Sequence, residues 1–86
     1  MKVKTVHYTI ILKPEAGGGF TVTVPALPGC VTYGKNLVEA QAMAEDAIGA
    51  YLASLKKHGE PIPTDDKSFV ASIDFPLPKS YVTSLS

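Results

Sequence analysis

Arginine and tryptophan are absent from this sequence, and cysteine and histidine are scarce. The eight basic residues are therefore all lysines, and eight acidic residues balance them to a formal net charge of zero. Recognition of nucleic acids depends largely on arginine side chains and on a basic protein face. The composition therefore disfavours direct binding of DNA or RNA.

Cys30 is the single cysteine, so the chain cannot form an internal disulfide, and nothing in it requires an oxidising compartment. With only His7 and His58 beside it, the sequence lacks the ligands of a standard four-coordinate zinc site. No apolar run reaches the roughly 18 residues of a membrane span, and no signal peptide is recognisable. We therefore expect a cytoplasmic protein with no metal, no cofactor and no membrane association.

What the sequence does contain is typical of one small globular domain. Its 86 residues are 45% hydrophobic and 19% charged. We expect a single domain over residues 1–86, with its core in about residues 3–76 and a tail over 77–86. A chain of this length buries only about 60% of the surface that it exposes when unfolded, so its core is thin. Self-association, as a homodimer or a tetramer, is expected to compensate.

Alternating polar and apolar residues predict a β-hairpin near the N-terminus. Over residues 3–12, Val6, Tyr8, Ile10 and Leu12 fall on one face of a strand, which is the period-two pattern. Residues 14–19 include three consecutive glycines and predict a turn. Residues 20–24 alternate again, with Phe20, Val22 and Val24 facing the core.

The rest of the chain predicts a short strand, a long helix and a final strand. Residues 30–33 form the third strand, and helical spacing of apolar residues predicts a helix over about 37–57, capped by Asn36 and Glu39. Residues 69–75 alternate and predict a fourth strand. The predicted fold is therefore α+β, a two-layer βββαβ arrangement in which one helix covers a small sheet.

The face of the hairpin turned away from the helix is the candidate functional surface. Its polar residues are Thr5, His7, Thr9, Thr21 and Thr23, accompanied by Ile11. A threonine-rich face and available sheet edges are typical of proteins that bind other proteins by strand addition. The residues therefore favour a protein-interaction module.

The sequence supports three catalytic alternatives less well than it supports a protein-interaction module. Glu45 and Asp46 are adjacent on the helix and point about 100° apart, so they cannot chelate a metal together, and Asp74 lies on another element. Cys30 follows Pro-Gly at the start of a strand, where a buried apolar residue fits better than a nucleophile. The glycines at 17–19 precede a strand, whereas a phosphate-binding loop precedes a helix. We therefore expect no catalytic residue.

Several motifs resemble those of the HicB antitoxin family. They are Gly-Gly-Phe at 18–20, Pro-Ala-Leu-Pro-Gly-Cys at 25–30, Gly34, Leu-x-Glu-Ala at 37–40 and Gly-Glu-Pro-Ile-Pro at 59–63. The similarity extends from about Tyr8 to Phe75. One departure is Asn36, where the family usually has threonine; both residues cap helices, so the structural expectation is unchanged.

This resemblance implies a partial ribonuclease-H-like fold and a role as an antitoxin. HicB proteins bind HicA, a small toxin that cuts mRNA with a histidine, and mask that histidine together with the RNA-binding surface. Many members add a C-terminal DNA-binding domain, and we expect none after the predicted fourth strand of this sequence. The resemblance therefore implies a HicA-type partner and leaves direct DNA binding unexpected.

Three functions remain open on the sequence alone. The first is an antitoxin of a type II toxin–antitoxin system that inhibits a HicA-type toxin by direct binding. The second is a solitary, oligomeric binding module without a cognate toxin. The third is a weak ribonuclease that retains ancestral chemistry, although its set of acidic residues is incomplete.

Overall fold

Three short strands and one long helix form the regular structure around which the protein is built. The computed structural model describes residues 4–65 and 69–84. The elements are β1 (Ile11–Pro14), β2 (Phe20–Thr23), β3 (Val31–Gly34), α1 (Leu37–Lys57) and a final 3₁₀ helix (Lys79–Ser84). This order confirms the predicted α+β class and its βββα layout, and it places a short 3₁₀ helix within the predicted tail.

The three strands form an antiparallel sheet in the order β1-β2-β3. Val22 is central, paired with Leu12 on one side and with Thr32 on the other. The turn between β1 and β2 is closed by two backbone hydrogen bonds: Glu15 N–H donates to the Gly19 carbonyl at 3.0 Å, and Gly18 N–H donates to the Glu15 carbonyl at 2.9 Å. The glycines at 17–19 therefore make a hairpin turn, as predicted.

Helix α1 begins and ends at the predicted residues. The Asn36 side chain accepts a hydrogen bond from Glu39 N–H at 2.8 Å, which satisfies one of the free amides of the first turn. The Glu39 carboxylate reaches back to Lys35 N–H at 3.1 Å, one residue before the cap. At the other end, Lys56 and Lys57 lie where the negative end of the helix dipole favours positive charge.

The first part of the core lies where α1 crosses the sheet. Ala40 and Ala44 on the helix are buried against Val22, and the half-buried side chains around them are Ile10, Leu12 and Phe20. Alanine allows the helix to lie close to the strands. At the end of β3 the approach is so close that Gly34 is buried beneath the first turn of the helix.

The second part of the core is built by the turn over residues 25–30. Leu27 is fully buried, and Cys30 is only 5% exposed. Cys30 N–H donates to the Leu27 carbonyl at 2.9 Å, which folds the turn inward. Gly29 has a φ of +82°, a conformation that residues with a Cβ rarely adopt. The Tyr51 hydroxyl donates to the Pro28 carbonyl at 2.8 Å and ties the turn to α1.

The predicted first strand is shorter in the structure. Residues 4–10 are not in a strand, and the ladder begins only at Ile11. The reason is that β2 ends at Thr23 and Pro25 cannot continue the pairing, so the residues before Ile11 have no strand beside them. Instead the Tyr8 hydroxyl donates to the Pro63 carbonyl at 2.5 Å, and Thr9 N–H donates to the Asp65 carboxylate at 2.7 Å.

The prediction of a fourth strand over residues 69–75 is wrong. Residues 69–75 are in no strand, and the sheet of the described residues has three strands. Phe69 is 96% exposed and Ile73 is 87% exposed. Alternation predicts that one face of a segment is apolar, but a strand also requires hydrogen bonds to a neighbouring strand, and this segment pairs with none of the three described strands.

Candidate protein-interaction face

The sheet has one face that α1 does not cover. We call it the open sheet face. It consists of two rows of side chains that run across the three strands, and its members are Ile11, Thr23 and Val31 in the first row and Lys13, Thr21 and Tyr33 in the second. The period of two along each strand places these residues opposite the core row that contains Val22.

Large apolar groups on this face are accessible to solvent. Val31 is 57% exposed, and Ile11 and Tyr33 are each 47% exposed. Thr21 and Thr23 are half-buried between them. An exposed apolar surface mixed with hydroxyl groups is a common feature of protein-binding sites, where tyrosine is enriched and buried charge is avoided.

Hydrogen bonds hold two side chains of the open sheet face in place. The Tyr33 hydroxyl donates to the Gly18 carbonyl at 2.9 Å, so the ring lies across the β1–β2 turn, directly over Gly19. The Thr21 hydroxyl donates to the Glu15 carboxylate at 2.7 Å. The surface is therefore partly ordered before any partner arrives, which lowers the entropy cost of binding.

The five predicted site residues do not form one continuous patch. Thr21 and Thr23 lie on the open sheet face, as the alternation indicated. Thr5 and His7 are exposed and line an open groove beside Ile62. Thr9 is half-buried between these two regions. The separation follows from the early end of β2, because residues 4–10 have left the sheet.

Sequence reasoning missed Val31 and Tyr33, although both lie on the predicted third strand. Their alternation with Thr32 and with Gly34, which is buried, would have assigned them to the open sheet face. It also missed Asp65, which is only 5% exposed and accepts the Thr9 N–H bond. No local pattern identifies Asp65, because its contact spans more than fifty residues of sequence.

Tyr8 lies beside this buried carboxylate. Burial, together with the negative charge of Asp65, raises the pKa of the Tyr8 phenol above its ordinary value of 10.0. Both causes disfavour the phenolate, so the neutral phenol that donates to Pro63 is the stable form in the folded protein. This contact ties the segment after α1 to the segment before β1.

We expect Tyr8→Phe to remove the part of the pH dependence of folding stability that Tyr8 causes at alkaline pH. Because the Tyr8 pKa is raised in the folded protein, the stabilisation from the neutral phenol is fully present below about pH 10. It is lost as pH rises through the folded pKa. At neutral pH, loss of the bond to Pro63 should cost about 1 kcal/mol. Urea unfolding of both proteins between pH 7 and 11 measures this. Parallel declines of stability above pH 10 would contradict it.

The catalytic alternatives gain no support from the described residues. Among residues 4–65 and 69–84, no three histidine, cysteine, aspartate or glutamate side chains come together in a group that could hold a metal ion. Glu45, Asp46 and Asp74 are all exposed. Cys30 packs in the core, and burial raises the pKa of its thiol, which disfavours the reactive thiolate. Within the same residues, no helix is both long and apolar enough to span a bilayer.

Comparison with known proteins identifies the family. Residues 8–76 match the family described as the HicB-like antitoxin of bacterial toxin–antitoxin systems. This match covers well over half of the chain. The chain belongs to the HicB-like antitoxin family. The predicted resemblance is confirmed, and it now rests on most of the domain rather than on a few motifs.

Individual relatives agree with this assignment. A UPF0150 protein of Thermoplasma acidophilum is 51% identical over 59 residues, which are 69% of this chain and 86% of that protein. A UPF0150 protein of Synechocystis is 35% identical over 60 residues, 70% of this chain and 76% of that protein. Antitoxin HicB 1 of Photorhabdus laumondii is 31% identical over 75 residues, 87% of this chain but only 48% of its own length.

The motifs that carry the HicB resemblance have structural roles in the described residues. Leu27 and Cys30 build the second part of the core, and Gly34 allows α1 to approach the sheet. The open sheet face is made largely of other residues, such as Ile11 and Tyr33. The family motifs therefore account for the fold, and the open sheet face is a candidate interaction surface on the basis of its own residues.

Proposed function

We propose that this protein is an antitoxin that neutralises a HicA-type, mRNA-cleaving toxin by binding it directly. Membership of the HicB-like antitoxin family supports this role, as does similarity to a protein named Antitoxin HicB 1. The structural observation that carries the proposal is the open sheet face, where exposed apolar side chains and threonines form a surface with few charges.

The open sheet face is suited to inhibition by occlusion. Ile11, Val31 and Tyr33 supply apolar area, and Thr21 and Thr23 supply hydroxyl groups that can bond a partner's backbone. Lys13 is the only charged member of the face, so little charge must lose its hydration on binding. A partner held there would have its RNA-binding surface and catalytic histidine covered.

The remaining predicted residues would extend this contact. Thr5, His7 and Thr9 precede β1 and continue its polar alternation beyond the end of the sheet. No described strand pairs with residues 4–10, so in this proposal a strand of the partner pairs with the backbone of this segment. In this proposal the protein acts by binding and contributes no catalytic group of its own.

We expect Thr23→Lys to weaken toxin binding at least about tenfold, because it places a charge between Ile11 and Val31 at the centre of the open sheet face. The measurement is the affinity for a purified HicA-type toxin encoded beside this gene, together with rescue of bacterial growth when both are expressed. Ala50→Lys is the matched control, since Ala50 is exposed on α1.

Two results would contradict the proposal. Equal affinity of the Thr23→Lys and Ala50→Lys variants would remove the open sheet face as the contact surface. Failure of the unaltered protein to bind the adjacent toxin would contradict the antitoxin role and favour the solitary binding module. The complete absence of arginine argues against operator DNA as an alternative partner.

A further inference from the structure

At the β1–β2 turn, the open sheet face places a carboxylate and an aromatic ring on either side of Thr21. The Thr21 hydroxyl donates to Glu15 Oε2 at 2.7 Å, and Thr21 is paired with Tyr33 on the neighbouring strand. We propose that Glu15 and Tyr33, the turn subsite, bind a cationic side chain, a lysine or an arginine, from the RNA-binding surface of the toxin. This inference rests on the proposed function, since it specifies what the open sheet face recognises in that partner.

One short turn fixes both groups of the turn subsite. The Tyr33 hydroxyl donates to the Gly18 carbonyl at 2.9 Å, and Gly18 N–H donates to the Glu15 carbonyl at 2.9 Å. Directly opposite residues in an antiparallel pair have Cβ atoms about 4.5–5.5 Å apart. Thr21 therefore keeps the carboxylate and the ring within reach of a single bound side chain, and both are ordered before the partner arrives.

Gly19 provides the space in which the Tyr33 ring lies. It is two residues before Thr21, so a side chain at this position would lie on the same face of the sheet. A Cβ there would overlap the hydroxyl oxygen and Cζ of Tyr33, and it would displace the ring. The ring nevertheless remains accessible, because Tyr33 is 47% exposed.

Both groups of the turn subsite attract positive charge. Glu15 Oε2 accepts the Thr21 bond, whereas Oε1 has no partner and no lysine forms an ion pair with Glu15 among residues 4–65 and 69–84. An ammonium or guanidinium group can donate to Oε1 while it lies against the π face of Tyr33. Proteins that bind RNA neutralise its phosphates with lysine and arginine side chains. A cation held in the turn subsite would therefore be withdrawn from RNA.

Lys13 allows a cation subsite to be distinguished from an anion subsite. It is exposed and is paired with Thr21 on the β1 side, opposite Tyr33. Its positive charge repels a bound cation and would attract a bound anion. Removal of Lys13 therefore has opposite effects on the affinities of the two kinds of subsite.

Neutral variants of two glutamates test the carboxylate. Glu15→Gln retains an acceptor for the Thr21 hydroxyl and removes the negative charge. Its affinity for the purified HicA-type toxin encoded beside this gene should fall at least about fivefold at about 50 mM salt, and less at about 500 mM, because salt screens the lost attraction. Glu45→Gln, at an exposed position of α1, changes the net charge equally and should bind like the unaltered protein. Isothermal titration calorimetry measures all three affinities.

Two glycine variants test the position of the ring. Gly18 and Gly19 both have a positive φ, so alanine strains the backbone at either position. A Cβ at Gly18 meets no atom within 4 Å, whereas a Cβ at Gly19 displaces Tyr33. Gly19→Ala should therefore bind the toxin at least about fivefold more weakly than Gly18→Ala. Tyr33→Leu, which removes the ring and leaves the glycines in place, should reproduce this loss even if Gly19→Ala does not fold.

Lys13→Ala should strengthen toxin binding at low salt, because it removes a charge that repels the bound cation. A loss of affinity in this variant would identify an anion subsite and overturn the inference. Equal affinities of Glu15→Gln and Glu45→Gln, or full affinity of Tyr33→Leu, would also overturn it while leaving the antitoxin role intact, provided that the unaltered protein binds the toxin. Failure of the unaltered protein to bind would overturn both proposals.

Discussion

Gly34→Ala should lower the free energy of unfolding by about 2–3 kcal/mol and the melting temperature by roughly 10 °C. A Cβ at this position would lie 2.3 Å from the Ala40 nitrogen and 2.4 Å from its Cα. Both atoms belong to the backbone of α1, so no side-chain rotation can relieve the overlap. The helix would have to move away from the sheet, opening the core around Val22. Chemical unfolding monitored by circular dichroism measures the change.

Gly49→Ala is the matched control and should have the opposite sign. Gly49 is exposed within α1, and a Cβ there would meet no atom within 4 Å. Glycine within a helix is less favourable than alanine by roughly 0.5–1 kcal/mol, so this variant should be more stable than the natural protein by about that amount. If both variants unfolded at the same denaturant concentration, close packing at Gly34 would not be a determinant of stability.

Leu27→Ala should cost about 3 kcal/mol, within the range for buried leucines that leave a cavity. Leu27 is fully buried and is one of the two largest side chains that the core encloses completely. A domain of this size has a total stability of only several kcal/mol, at roughly 0.05–0.15 kcal/mol per residue. The variant should therefore be partly unfolded at 37 °C, as measured by thermal melting.

Leu37→Ala provides the comparison for Leu27. Leu37 is 56% exposed at the first turn of α1. The same chemical change should therefore cost less than about 1 kcal/mol. Similar losses for the two variants would mean that the turn over residues 25–30 is not the second centre of the core.

Local interactions explain which elements the sequence predicts well. The bounds of α1 depend on a cap at Asn36 and on helical spacing within the segment, and both are properties of neighbouring residues. The β1–β2 turn depends on its own glycines in the same way. The positive φ of Gly29 and the close approach of α1 at Gly34 are likewise found at glycines, the residue type that tolerates both.

Strands are less predictable, because each needs a partner that the local sequence does not specify. Polar and apolar residues alternate as regularly over residues 4–10 as they do in β2. Pro25, however, ends β2 before it can pair with that segment. Residues 69–75 alternate clearly and find no strand among the described residues of the chain. Both errors arise because the alternation of polar and apolar residues indicates which face of a segment is apolar. It does not indicate which strand will form hydrogen bonds with that segment.

The candidate site was predicted only in part, again because the local sequence does not specify which strands are neighbours. Thr21 and Thr23 were assigned correctly to the uncovered face, because β2 has neighbours on both sides and its alternation fixes its faces. Thr5 and His7 were placed on the same face only because their strand was extended too far. The contact between Thr9 and Asp65 depends on the folded path after α1, which no local pattern encodes.

In the proposed antitoxin role, the alternation along β2 would allow partner choice to evolve independently of folding. Val22 faces α1, whereas Thr21 and Thr23 face outward, so a substitution at either threonine leaves the buried layer intact. Synechocystis encodes two UPF0150 relatives, which are 35% and 31% identical to this chain over about 60 residues. Duplicated copies with this architecture can acquire orthogonal specificities through a few outward-facing residues, and each copy can then avoid cross-talk with the partner of the other.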